Sequence, residues 1–287
     1  MNTCKSFKEL RKIQTVFDGQ KRCLWCYIPA DNPVNKPLPM LVFLHGGGSN
    51  ARNGARAARL FLKARQENFV LVLPEGSGKP GLFRTWNAGT CCGYAMRKRI
   101  DDVGFVTTII EELASKFQTD SSRIYLAGFS NGGMLAQRIG NERPEPFAAI
   151  ACVSGAFVAT PYLEKEPISI LLIHGDADRA VPYEGGKRVL FRGWLRTHPD
   201  TSVEHAIQFW IRRNQCNETP ISEEREKVHI ERYPNGKQGT EVVLCRVRGG
   251  NHAWPGGYRE WPFAPKPVSF FSATDFLWDF FKRHVKR

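Results

Sequence analysis

Five short, largely apolar runs recur along this chain, at residues 40–44, 69–73, 124–127, 148–153 and 168–173, and segments of helical periodicity lie between them. Strands that are apolar on both sides must be covered on both sides. Strands separated by helices can also pair side by side in the same direction. The pattern therefore predicts an α/β protein with a mostly parallel central sheet and helices on both faces. The clearest helix opens at Asp101-Asp102 and repeats apolar residues at Val103, Val106, Ile109, Ile110, Leu113 and Phe117, the spacing of one buried face. Further helices are predicted over 52–66, up to about 141, over 203–213 and over 274–284. Residues 14–17 and 21–28 flank Asp18-Gly19, a tight hairpin signal, so an antiparallel N-terminal hairpin is predicted. Two alternating segments, 228–233 and 241–247, are also read as strands. No linker or repeat interrupts the chain. At 287 residues it is long enough to bury a full core, and residues 1–287 are expected to form a single domain.

Composition excludes several classes. The net charge is +13, spread in short groups such as Arg52/Arg56/Arg59, Arg97-Lys98-Arg99, Lys187-Arg188 and Arg212-Arg213. No nucleic-acid-binding motif accompanies these groups, so a solvated basic surface is expected, with no nucleic acid as partner. A polyanion- or carbohydrate-binding role is the alternative that this charge suggests. No apolar run approaches the roughly 20 residues of a membrane span. The start of the chain lacks the apolar core of a signal peptide, consistent with a cytoplasmic protein or the mature form of an exported one. Cys23 and Cys26 have the spacing of a zinc or redox pair, but three residues apart on a strand they face opposite ways. Cys152, inside an apolar run, is expected to be a small core residue.

The residues that carry chemistry stand where strands end. Gly128-Phe129-Ser130-Asn131-Gly132 lies between the apolar run at 124–127 and a predicted helix. In such a sharp strand-to-helix turn the neighbouring positions must be nearly free of side chain, and the serine hydroxyl projects outward as a candidate nucleophile. A serine needs a base, and the base needs an acid to orient it. After the run at 168–173 come Asp176 and Asp178; Asp178 is placed far enough along its loop to reach sideways, whereas Asp176 suits a turn-capping role. Among the later histidines, His205 falls in a helix, His229 in a strand, His198 in a polar turn and His284 in the last helical turn. His252 alone follows a strand in a glycine-rich loop. Ser130, Asp178 and His252 then occur in the chain order of the α/β-hydrolase fold. His45-Gly46-Gly47-Gly48 follows the run at 40–44, and the backbone N–H groups of Gly47 and Asn131 are the candidate oxyanion donors; His45 is assigned to organising the loop.

Taken together, Leu44-His45-Gly46-Gly47-Gly48-Ser49, Trp86-Asn87-Ala88-Gly89-Thr90-Cys91-Cys92-Gly93, Asp101-Asp102-Val103-Gly104-Phe105, Gly128-Phe129-Ser130-Asn131-Gly132-Gly133, His174-Gly175 with Asp178 and Val181-Pro182-Tyr183, and Gly250 with His252-Ala253-Trp254-Pro255-Gly256 occur in that order. This series resembles the polyhydroxybutyrate depolymerase/feruloyl esterase-like group of α/β-hydrolases, from about residue 15 to the C-terminus. The resemblance implies a serine carboxylic-ester hydrolase with Ser130, Asp178 and His252 as triad and with no metal or organic cofactor. Its substrates would be hydroxyalkanoate oligomers or feruloyl, acetyl or short-chain esters; a serine peptidase is the alternative chemistry for the same triad. Trp86, Tyr183 and Trp254 flank the expected site and are candidates to line its acyl or alcohol pocket. Members of the group commonly pair the equivalent of Cys216 with a cysteine on the following segment. Here residues 233–238 hold none, so Cys216 is expected to be free or to pair elsewhere, with Cys245 a candidate. Cys91 and Cys92 are expected as thiols or with one bonded to a distant cysteine. The oligomeric state, monomer or dimer, stays open.

Overall fold

The computed structural model describes residues 9–30, 36–78, 83–117, 119–158, 165–186 and 199–286. Its ten strands form one sheet. They are β1 (Arg11–Phe17), β2 (Gln20–Tyr27), β3 (Leu38–Leu44), β4 (Val70–Pro74), β5 (Thr119–Phe129), β6 (Ala149–Val153), β7 (Ser169–Gly175), β8 (Ile221–Arg225), β9 (Val228–Tyr233) and β10 (Val242–Val247). The spatial order is β1-β2-β4-β3-β5-β6-β7-β10-β9-β8. The six central strands from β4 to β10 run parallel, and both ends are antiparallel. The N-terminal hairpin turns at Asp18 (φ 49°) and Gly19 (φ 67°), the paired left-handed conformations that a two-residue turn between twisted strands requires.

Alternate residues of the parallel strands feed two core layers. Met40, Val42, Leu44, Leu126, Ile150 and Leu172 face one side. There they pack with α4 (Asp102–Lys116), α5 (Asn131–Glu142) and α6 (Val203–Asn214). Leu41, Phe43, Tyr125, Ala127, Ala151 and Ile173 face the other, with α1 (Ala51–Ala57), α2 (Leu60–Glu67) and α7 (Ala273–Lys282). Helices on both faces of a mostly parallel sheet make this the α/β-hydrolase architecture read from the sequence.

Several local expectations change. The single helix predicted over 52–66 is two, α1 and α2, broken at Ala58 and at Arg59, whose φ is +55°. The break leaves the Ala57 carbonyl to the Tyr258 N–H and the Ala58 carbonyl to the Thr274 hydroxyl, so tertiary bonds replace helical ones. The long segment 74–99 contains a short helix, α3 (Gly93–Arg97). Strand β8 was not expected because all five of its residues, Ile221-Ser-Glu-Glu-Arg225, are exposed and show no apolar alternation. Cys91 and Cys92 are joined to each other, across a cis peptide bond, rather than left as thiols or paired with a distant partner. Cys216 and Cys245 are free and do not pair, because they are buried in opposite core layers. Cys26 and Cys152 pack in one layer, while Cys23 points to the other face of its strand. Lys187-Arg188 and His198 lie outside the described residues.

Candidate active site

Strand β5 runs directly into Ser130, which precedes the first residue of α5 with φ 52° and ψ −122°. A non-glycine residue in this region costs about 1–3 kcal/mol and persists only where its surroundings hold it. The Ser130 N–H donates to the Val153 carbonyl (2.9 Å), tying the turn to the end of β6. A Cβ at Gly128 would overlap the Gly132 carbonyl, and one at Gly132 would overlap the carbonyl of Leu44. The two glycines are thus required by contact between the turn, its helix and strand β3.

The Ser130 hydroxyl, half-buried, lies 3.0 Å from His252 Nε2. His252 Nδ1 donates to Asp178 Oδ2 at 2.7 Å, which leaves Nε2 to accept from the serine. The Asp178 side chain is fully buried, and its Oδ1 accepts from the N–H groups of Ala180 and Val181, each at 2.9 Å. Burial pulls this carboxyl upward, but the hydrogen bond and charge of His252, the nearby His174 and the Val181 N–H outweigh it. The net shift is downward and Asp178 stays ionised. His174 is a support that sequence reasoning did not single out. It sits 3.7 Å from Asp178 Oδ2, donates to the Val181 carbonyl at 2.8 Å, and is held below the ordinary imidazole range by burial. Asp176 serves the neighbouring loop: Oδ1 accepts from the Gly249 N–H (2.7 Å) and Oδ2 faces Arg246 (3.3 Å). A Cβ at Gly175 would overlap the Gly250 carbonyl, so the loops carrying Asp178 and His252 run in backbone contact.

Gly47 and Asn131 face each other beside Ser130; a Cβ on Gly47 would come within 3.3 Å of the Asn131 Cβ. Asn131 opens α5, where a backbone N–H has no partner within the helix. Its side chain clasps the Trp86 backbone, accepting from the Trp86 N–H (2.7 Å) and donating to the Trp86 carbonyl (3.0 Å). The Trp86 indole N–H donates to the His45 carbonyl at 2.9 Å. The His45 ring is buried, donates from Nδ1 to the Gly46 carbonyl and accepts the Gly76 N–H at Nε2 (3.0 Å). Burial pushes its pKa down to about 4, so it is neutral.

These contacts correct two expectations. Trp86 is fully buried behind the cavity and braces the Gly47 and Asn131 arms instead of lining the pocket. Tyr183 packs edge-on against His174, with Arg246 over its ring, and does not reach the cavity wall. Trp254 does line the cavity, held by its N–H to the Thr274 hydroxyl (2.9 Å) and by edge contacts with Phe43 and Phe129.

The cavity above Ser130 has a volume of about 1250 Å³. Phe83, Tyr94, Phe129, Trp254, Tyr258 and Trp261 give it aromatic walls, with Arg97 and Glu260 as charged groups. Sequence reasoning did not identify Phe83, Tyr94, Arg97, Tyr258, Glu260 or Trp261. Tyr94 and Arg97 stand on the short helix α3 and the others on irregular segments, where no apolar period marks a role. His205, His229 and His284 stand on other elements and do not line this cavity. Among the described residues, no three His, Cys, Asp or Glu are grouped to hold a metal ion, and no helix is long and apolar enough to cross a membrane.

The family model described as Esterase PHB depolymerase matches residues 23–184. Feruloyl esterase B of Piromyces equi is 30% identical over 244 residues, covering 82% of this chain and 43% of that protein. Feruloyl esterase B of Neurospora crassa is 28% identical over 194 residues, covering 64% of this chain and 62% of that protein. The chain thus spans less than two thirds of the length of either relative. Among solved structures, an acetyl xylan esterase from Aspergillus awamori superposes with a TM-score of 0.63 at 13% identity, over 94% of this chain and 99% of that one. At that identity the likeness is one of fold.

Proposed function

The chain belongs to the PHB depolymerase esterase family, and from that premise we propose that it hydrolyses carboxylic esters through an acyl-enzyme on Ser130. The observation that carries the proposal is the continuous hydrogen-bonded line Ser130–His252–Asp178 at the floor of an aromatic cavity. The Ser130 Oγ attacks the ester carbonyl as His252 Nε2 takes its proton, and Asp178 holds the imidazole in the required orientation and stabilises the imidazolium. The carbonyl oxygen, now negative, is received by the N–H groups of Gly47 and Asn131. Each such donor is worth roughly 10²–10³ in kcat. Imidazolium then protonates the leaving alkoxide. In the second half, His252 takes a proton from water as the hydroxide attacks the acyl carbon; the C–Oγ bond then breaks, the imidazolium returns its proton to Ser130 Oγ, and the carboxylic acid leaves.

The substrates favoured by the cavity are soluble esters with an acyl or alcohol portion large enough to use its aromatic walls, among them feruloyl, acetyl-polysaccharide or hydroxyalkanoate oligomer esters. Trp254 is proposed as a wall residue for the bound ester. The test is Ser130→Ala, assayed on p-nitrophenyl acetate and methyl ferulate beside a circular-dichroism melt. Turnover should fall by about 10⁴-fold or more with the melt retained; a folded variant that still turns over at the parent rate overturns the reading.

A further inference from the structure

Glu260 is a carboxylate on the wall of a largely apolar cavity that also carries Arg97. Such a group is costly unless something accepts or donates to it, and burial raises its tendency to hold a proton even against the nearby charges of His252 and Arg56. Its position is nonetheless fixed from two sides. Oε1 accepts from the Ser49 hydroxyl, a buried group just after the Gly46–Gly48 loop. Arg56 of α1 donates to the backbone carbonyls of Arg259 (3.1 Å) and Glu260 (2.8 Å), clamping the segment that carries it. The second oxygen, Oε2, has no partner among the described residues, yet it is not sealed away from solvent. Glu260 lines the cavity, and a held carboxyl group with one oxygen bonded and the other without a partner among the described residues can take a further hydrogen bond.

Resting on the ester-hydrolase reading above, we propose that Glu260, held in place by Ser49, forms a polar subsite that binds a hydroxyl group of the substrate ester. The surrounding wall is apolar, so the carboxylate supplies selectivity rather than bulk affinity. An ester that presents a hydroxyl to Oε2 gains a hydrogen bond, and its analogue lacking the hydroxyl leaves the carboxyl group facing carbon. The hydroxyl belongs either to the acyl group or to the alcohol, and matched pairs of esters separate these sources.

The experiment compares kcat/KM on methyl 4-hydroxycinnamate against methyl cinnamate for the acyl arm, and on glyceryl butyrate against propyl butyrate for the alcohol arm. The parent protein should prefer the hydroxylated member of one pair by about tenfold or more. Glu260→Gln should shrink that ratio severalfold, Glu260→Ala should bring it near one, and Ser49→Ala, which frees Oε1, should shrink it partway. A melt of each variant checks folding, and Ser49→Ala carries the test if the Glu260 variants do not fold. A parent with no hydroxyl preference in either pair overturns the subsite. So does an equal loss on both members of each pair, which would place Glu260 in a role acting through His252. Parent turnover insensitive to Ser130→Ala would instead overturn the esterase reading on which the subsite rests.

Discussion

At the floor of the cavity, Gly47, Ser130, Asn131 and Asp178 sit among polar groups whose bonds are accounted for, whereas at its mouth Phe83, Tyr94 and Trp261 stand partly in solvent. The floor draws on five strand ends that the sheet places side by side, β3, β5, β6, β7 and β10, and its loops touch backbone to backbone. The mouth is formed by Phe83, by Tyr94 and Arg97 of α3 and by segment 258–265, which Arg56 holds to the scaffold. A geometry that must hold charge during a reaction tolerates little displacement, while a surface that only selects among substrates can be exposed and irregular. The contrast therefore predicts large losses of turnover with little change in affinity from floor substitutions, and the reverse from mouth substitutions.

The largest effect is expected at the buried acid. Asp178→Asn keeps the shape but replaces the acceptor that fixes the His252 tautomer, and kcat should fall by about 10⁴-fold with KM little changed. Steady-state kinetics on p-nitrophenyl acetate measures this; a fall confined to KM would break the contrast. Trp86→Phe should come next. It removes the indole donor to the His45 carbonyl and leaves a small void, so kcat should drop about tenfold and stability by about 1–2 kcal/mol, read from a urea melt beside kinetics. Unchanged kcat would mean that the Gly47 and Asn131 arms keep their geometry without this brace. The smallest effect belongs to the mouth: Trp261 is 45% exposed, and Trp261→Ala should raise KM for aromatic esters a few-fold while stability stays within about 0.5 kcal/mol. A comparable loss in kcat would place this wall in the floor's class.

The floor was far more legible than the mouth. Gly128, Ser130 and Gly132 announce a strained strand-to-helix turn because only particular residues tolerate that backbone, and His45-Gly46-Gly47-Gly48 follows its strand for the same reason. Asp178 could be preferred over Asp176 from loop position alone, and the structure gives each a separate set of partners: His252 for one, the Gly249 N–H and Arg246 for the other. Trp86 and Tyr183 mark the limit of what local pattern determines. Their motifs place them near the site, but whether an aromatic ring lines a cavity or supports it depends on which side of the loop is covered. The buried pair of Arg22 with Asp102 (2.7 Å), stacked over Phe105, joins residues far apart in sequence and left no local trace. Glu260 left none either, since a single glutamate in an irregular segment has no period to break.

From sequence alone, most strands and helices in their order, though not β8 or α3, the hairpin at Asp18-Gly19, the two-sided burial of the central strands and the post-strand positions of Ser130, Asp178 and His252 could be stated. These follow from backbone preferences and apolar periodicity, which are properties of neighbouring residues. The tertiary structure decided the break between α1 and α2, the pairing of Cys91 with Cys92, the free state of Cys216 and Cys245, the bracing role of Trp86 and the place of Glu260 on the cavity wall. Each of these depends on which distant group fills the space opposite a side chain or carbonyl, and that is settled only when the sheet, its two helical layers and the long loops are packed together.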